Sequence, residues 1–205
     1  MPVIGIAGGV GSGKSAVSRV FEELGCLVSD SDRATRAALE REDVREQLVS
    51  WWGRGVLDAD GRVDRVAIAK IVFADSAERA RLESVTHPAA RADRDAVIAR
   101  AEAEGAAGVV VDAPLLFEVG LDASCDFVVF VDAPLVVRAE RVRSTRGWDE
   151  ARVAEREAAQ LPVDEKRSRS DAVVDNSGSL GGLRRQVESV LARAVERHRA
   201  ERAAR

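Results

Sequence analysis

The sequence predicts an α/β fold: a five-stranded parallel sheet with helices on both faces, a helical insertion and an arginine-rich lid. Three observations predict it. Apolar runs of strand length recur along the chain, separated by stretches of helical periodicity, as in parallel sheets covered on both sides. A glycine-rich loop, Gly8-Gly9-Val10-Gly11-Ser12-Gly13-Lys14-Ser15, lies between the first such run and the first helical stretch. The stretch 30–108 between the second and third strands is too long for one crossover helix and reads as several.

The elements follow in order. Val3–Ala7 is the first strand, and Val17, Val20, Phe21 and Leu24 then share one helical face that Gly25 closes. Leu27–Ser29 is the second strand. Helices are expected near Ala34–Glu40, Asp43–Trp52 and, after the turn residues 58–61, Asp64–Ala74. Asp75-Ser76-Ala77-Glu78 has the form of a capping box for a fourth helix, and Pro88 sits where a proline can open a fifth. Strands Val109–Asp112 and Phe127–Val131 come next. A helical stretch bearing Arg138, Arg141, Arg143 and Arg146 follows, then a helix near Glu150–Ala159 opened by Asp149, and the strand Ala172–Val174. Leu183, Val187, Val190 and Leu191 give the helix from Ser179 to Arg197 a docking face, and the closing ERHRAERAAR reads as solvated and frayed. The expectation is one domain over residues 1–205. Its core is 1–33, 106–137 and 170–205, its helical acceptor-binding insertion about 34–105, and its lid about 138–169.

The glycine loop fits G-x-x-x-x-G-K-[ST] without a mismatch, so the fold is of the P-loop NTPase class. Glycines let successive amides turn toward phosphate oxygens, and the following helix adds its N-terminal amides and partial positive charge. Gly9, Gly11, Ser12, Gly13, Lys14, Ser15 and Ala16 are the expected ATP contacts. Lys14 reaches the β- and γ-phosphates, and the Ser15 hydroxyl ligates Mg²⁺. Sites in such sheets gather at the carboxyl ends of strands, which singles out DSD at 30–32, DAPLLFE at 112–118, VDAP at 131–134 and DNSGS at 175–179. A carboxylate of Asp30 or Asp32 can orient an acceptor hydroxyl or cap the next helix. Asp112 either binds Mg²⁺ through water or holds a loop. The lid arginines are either a solvated face or a clamp on the transferring phosphoryl group. No Asn-Lys-x-Asp guanine motif is found, and the whole favours a small-molecule kinase of nucleoside-monophosphate-kinase-like architecture.

Hydrophobic residues make up 46% of the 205, enough for a full core, and the formal net charge of −4 argues against a dedicated nucleic-acid partner. Cys26 and Cys125 are too few for a disulfide scaffold and read as packing residues. With no secretory leader or long apolar span, the chain is expected in the cytoplasm, without a membrane partner.

Six ordered motifs, GIAGGVGSGKS, VSDSDRATR, HPAAR, DAPLLFEVGLD, AAQLPVDEK and DNSGS, spread over nearly the whole chain, resemble those of the dephospho-coenzyme A kinases. The resemblance implies transfer of the ATP γ-phosphoryl group to the ribose 3′-hydroxyl of dephospho-coenzyme A, with Mg²⁺, giving coenzyme A and ADP. It implies that Asp32 is the base or acceptor-orienting group, and that His87, Arg91, Pro114, Leu115, Leu116 and Glu118 lie in or near the acceptor pocket. On its own, His87 reads as a packed or capping histidine, and Leu115, Leu116 and Phe117 as core. Asn176 lies near the adenine by resemblance and is otherwise a turn residue. The sequence departs from the family pattern at Ala16, where Thr is usual, and at Ser31, where Ala is usual. Thr145-Arg146-Gly147 also replaces a common Arg-Asp-Gly, which leaves the choice of phosphate-binding arginine open. Arg141 is the expectation, with Arg143 and Arg146 as alternates.

Overall fold

Continuous burial along the central apolar runs, on both faces, builds the sheet. A computed structural model describes residues 1–204, without the side chain of Glu150. Among these residues the strands are β1 (Val3–Gly8), β2 (Cys26–Asp30), β3 (Gly108–Asp112), β4 (Phe127–Asp132) and β5 (Ala172–Asp175). All pair in parallel, in the order β2-β3-β1-β4-β5. The helices are α1 (Lys14–Glu23), α2 (Ser31–Glu40), α3 (Glu42–Trp52), α4 (Arg65–Ala74), α5 (Ser76–Glu104), α6 (Leu135–Arg146), α7 (Glu150–Ala158), α8 (Val163–Ser168) and α9 (Leu180–Ala203). The predicted five-stranded parallel sheet is therefore the observed one.

Two compact units are formed, one by Met1–Asp30 with the chain from Val97 onward, the other by Ser31–Ala96. In the sheet unit, Ile4, Ile6, Val110, Val129 and Val131 face Val17, Phe21, Val187 and Val190 of α1 and α9. Ala7, Val111, Val128 and Phe130 point the other way, onto Leu116 and Phe117. Val97 and Ala101 of α5 cover Val109 on that second face. Each large aliphatic or aromatic side chain so buried contributes about 1.5–3 kcal/mol. The second face comes so close at β1 that only glycine fits. A Cβ on Gly5 would stand 2.8 Å from Leu116 Cδ2 and 2.9 Å from Cys125 Sγ. Gly5→Val should lower stability by about 1–3 kcal/mol, read as a drop in the denaturant midpoint; an unchanged midpoint would contradict this packing.

The helical unit has its own core. Leu39, Val44, Leu48, Val56 and Ile68 are buried together, with Trp51, Trp52, Leu82 and Val85 against them. The insertion begins at Ser31 rather than 34 and ends at Ala96 rather than 105, because the last turns of α5 cover the sheet. Two further expectations are corrected here. α5 is one helix that runs through Pro88, not two. Side chains packed into cores on both sides of the proline hold it, the partly buried Leu82 and Val85 before and the buried Val97 and Ala101 after. Together they offset the roughly 3 kcal/mol that an interior proline costs. The capping box is half formed: Asp75 Oδ1 accepts from Ala77 N–H, but the Asp75 amide is already bound to Ile71 O, and Glu78 accepts from Trp52 instead.

The chain's end also differs from expectation. α9 stays helical to Ala203, and His198 Nδ1 lies 3.2 Å from Asp126 Oδ2, with the terminal amine 3.3 Å from its Nε2. Those contacts hold turns that composition alone marks as frayed; Arg205 lies outside the described residues. Both cysteines are free, and burial pushes the Cys26 thiol up to about 11. Among the described residues no helix is long and apolar enough to cross a membrane.

Candidate active site

β1 delivers the glycine loop to the carboxyl edge of the sheet, and α1 begins at Lys14. Gly13 precedes it at φ 87°, a left-handed conformation that suits glycine, and a Cβ there would fall 2.2 Å from Asn176 Nδ2. The amides of Gly11, Gly13 and Ser15 make no hydrogen bond to protein among the described residues. They form a donor set next to a helix N-terminus, suited to a phosphate. Ala16 N–H bonds Gly13 O, and Ser12 N–H bonds Gly9 O. Lys14 Nζ donates to Gly8 O at a long 3.4 Å. Gly9 borders a small cavity of about 190 Å³ against Gln160 and Leu161.

Two groups from distant elements hold this loop. Asn176, 8% exposed after β5, donates from Nδ2 to Ser12 O at 2.9 Å. Arg141 of α6 donates to the same Ser12 carbonyl at 3.3 Å and to Asn176 O at 2.7 Å. Asn176 is thus a buried brace for the phosphate loop, not a solvated turn residue. The structure separates the lid arginines. Arg143 pairs with Glu140 on the exposed face of α6, and Arg146 stacks over Trp148 at 5.0 Å. Sequence reasoning counted Arg138 among the lid arginines but missed its burial. It is buried, donates to Val10 O at 3.1 Å and is ion-paired with Glu157. Its spacing of three from Arg141 was visible, but nothing in the composition marks it as buried.

The acidic residues stand at strand ends. Asp30 and Asp112 are register partners across β2 and β3. Ser18 Oγ donates to Asp112 Oδ2 at 2.8 Å, so this carboxylate is tied to α1. Ser15, exposed in the first turn of α1, is the hydroxyl available to a metal. No cluster of three His, Cys, Asp or Glu side chains suited to a metal occurs among the described residues. The hard oxygen donors present suit Mg²⁺, which keeps several waters and phosphate oxygens and needs no protein cage. Asp32 lies in the first turn of α2, not on a strand, and lines a cleft within the helical unit.

The remaining predicted acceptor contacts divide. His87 and Arg91 are exposed on α5, one turn apart. Pro114 is half-buried and Leu115 is 39% exposed. Leu116 does not wall a cleft: at 2% exposure it is core, packed with Phe117 under β1. Glu118 is engaged within the fold. Its Oε1 accepts from Lys166 Nζ at 2.7 Å and from Leu161 N–H at 2.8 Å, anchoring α8 to the segment after β3. Burial alone would push the Glu118 carboxyl up, but the bonds from Lys166 and the Leu161 amide outweigh it and hold it below its ordinary value. A carboxyl lowered by folding stabilises above its unfolded value and loses that contribution as pH falls through the folded one. The melting temperatures of the wild type and Glu118→Gln should therefore differ at neutral pH and converge on acidification; a gap constant with pH would contradict the pair.

Known proteins resemble this chain along nearly its whole length. The dephospho-CoA kinase family model matches residues 2–181. A dephospho-CoA kinase of Geobacter sulfurreducens is 39% identical over 94% of this chain and 98% of its own. One from Deinococcus radiodurans is 42% identical over 92% and 90%. The crystal structure of the Thermus thermophilus protein TT1252 superposes with a TM-score of 0.82 at 38% identity, covering 94% of this chain and 97% of that one. With its phosphate loop, its braced Ser12 carbonyl and this likeness along nearly its whole length, the chain belongs to the dephospho-CoA kinase family.

Proposed function

We propose that this chain transfers the γ-phosphoryl group of ATP to the ribose 3′-hydroxyl of dephospho-CoA, releasing ADP and coenzyme A, the last step of coenzyme A synthesis, in the cytoplasm. The observation that carries the reading is the phosphate loop itself: uncommitted amides at Gly11, Gly13 and Ser15, with Arg141 and Asn176 fixed on the Ser12 carbonyl beside them.

Phosphoryl transfer has a loose transition state, so positioning and charge compensation dominate. The loop amides bind the phosphates, and Lys14 moves from Gly8 O to the β- and γ-oxygens. Arg141, already beside Ser12, meets the charge on the transferring group. Ser15 would hold Mg²⁺, with Asp112 reaching it through water, and the ion would supply charge compensation at the phosphates. Asp32 accepts a hydrogen bond from the acceptor hydroxyl and aims its oxygen. Asp32 stands two positions beyond Asp30 at the end of β2, a span of at most about 7 Å. That chain limit supports Asp32 in this role.

Mass spectrometry of dephospho-CoA incubated with ATP, Mg²⁺ and the protein should give coenzyme A, and no such product would overturn the reading. Asp32→Asn should lower turnover about 10²-fold while leaving the ATP dissociation constant within about twofold. Equal losses in both would remove Asp32 from the acceptor's side.

A further inference from the structure

α6 holds the phosphate loop at alternate carbonyls. Arg141 donates to Ser12 O, and Arg138, three positions earlier on the same helix, donates from Nη1 to Val10 O at 3.1 Å. A spacing of three puts both side chains on one face of α6. That face lies tight against the loop. A Cβ on Gly11 would stand 2.5 Å from Arg138 O, and one on Gly9 2.7 Å from Arg138 Nη1. The same Nη1 also donates to Glu157 Oε1 in the last turn of α7. Neither charge is placed for the good of its own helix. The helix dipole opposes a carboxylate in a last turn, and it opposes a cation near the start of α6. Arg138 is moreover only 9% exposed, where an unpaired charge is costly. The two charges compensate each other, and together they tie α7 to the loop.

Each of these carbonyls shares a peptide plane with the amide that follows it. No peptide bond among the described residues is cis. In a planar trans peptide the C=O and N–H point in opposite directions. A donor that holds Val10 O therefore turns the Gly11 N–H away from Arg138. The bonds to Ser12 O from Arg141 and Asn176 do the same for the Gly13 N–H. Gly11 and Gly13 are two of the three loop amides with no protein acceptor among the described residues. Both glycines have positive φ, 75° and 87°, and their backbone freedom would let the adjoining planes rotate if nothing held the carbonyls.

We propose that Arg138 is a positioning residue for phosphate binding. It fixes the Val10 carbonyl and so aims the Gly11 amide at a phosphate oxygen, and Glu157 acts through it by holding the guanidinium in place. The inference rests on the loop binding the phosphates of ATP, and not on which acceptor follows.

The test is calorimetric titration of the full chain with ATP and with inorganic triphosphate, both with Mg²⁺, and steady-state kinetics beside it. Arg138→Met should weaken both ligands about 10-fold, the loss expected for one misdirected hydrogen bond to a charged group. The KM for dephospho-CoA at saturating ATP should stay within about twofold. Arg138→Lys keeps a donor that ends short of the Nη1 position and should recover part of the loss. Glu157→Gln keeps an acceptor for the guanidinium and should weaken both ligands about threefold. Because Glu157 works only through Arg138, the double variant should bind no more weakly than Arg138→Met alone, a non-additivity that independent roles would not give. If Arg138→Met does not fold, Arg138→Lys and Glu157→Gln carry the same prediction at smaller amplitude. Wild-type affinity for inorganic triphosphate in these variants, additive losses in the double variant, or an equal loss for dephospho-CoA overturns the role of Arg138 and leaves the kinase reading standing. A wild type that binds neither ATP nor inorganic triphosphate overturns both.

Discussion

Lys14→Met should lower turnover about 10²–10³-fold, the range for removing one preorganised electrostatic stabiliser. The argument is local. Lys14 is the first residue of α1, directly after the left-handed Gly13, so its side chain starts from a fixed point at the loop. Its bond to Gly8 O, at 3.4 Å, is weak enough to leave when a phosphate arrives. In a loose transition state negative charge collects on the oxygens bridging and surrounding the γ-phosphorus, and a mobile ammonium follows it. Methionine keeps the length and apolar stem, so the far-ultraviolet spectrum and melting temperature should match the wild type. Rapid-quench measurement of the chemical step decides the matter: turnover within about threefold of the wild type would remove Lys14 from the reaction.

Strand positions were readable because burial on both faces of a parallel sheet leaves continuous apolar runs, as in Val109-Val110-Val111 and Phe127–Val131. The phosphate loop was readable because its spacing follows directly from the geometry of phosphate binding. What the sequence hid was of a different kind. Pro88 carries a local signal for a helix start, but the packing of Val85 into the helical core on one side and of Val97 against Val109 on the other decides the matter, and these contacts are tertiary. Leu116 and Glu118 stand two apart in one motif after a strand end, and nothing local tells a pocket wall from a core residue. Their partners, Gly5 and Lys166, are remote in the chain. Arg138 was counted among the lid arginines but not recognised as a buried residue, since its partners Val10 and Glu157 lie on different elements. Residue type announces chemistry when a motif is contiguous; it is silent when the function depends on which distant carbonyl or carboxylate a side chain meets.

That distinction makes the arginines of α6 a sharp test. By type and exposure to phosphate chemistry Arg141, Arg143 and Arg146 are equivalent; by partners they are not. Arg141→Met should lower kcat/KM for ATP about 10²–10³-fold, because it removes both a charge beside the phosphate loop and the bridge between Ser12 O and Asn176 O. Arg143→Met should cost less than about threefold, since its partner is Glu140 on an exposed face, where ion pairs contribute little. Arg146→Met removes its stacking on Trp148 and, among the described residues, no ion pair, and should behave similarly. Arg141→Lys separates the two contributions of the first residue. An ammonium keeps the charge but cannot span two carbonyls as a planar fork does. If charge alone matters, the lysine variant recovers most of the activity. If the brace matters as well, it stays impaired, and Asn176→Ala, which removes the other bond to Ser12 O, shows a smaller loss of the same kind. Equal effects at 141, 143 and 146 would mean that the lid acts through its summed charge and that the contacts to Ser12 and Asn176 do not select one arginine for the reaction.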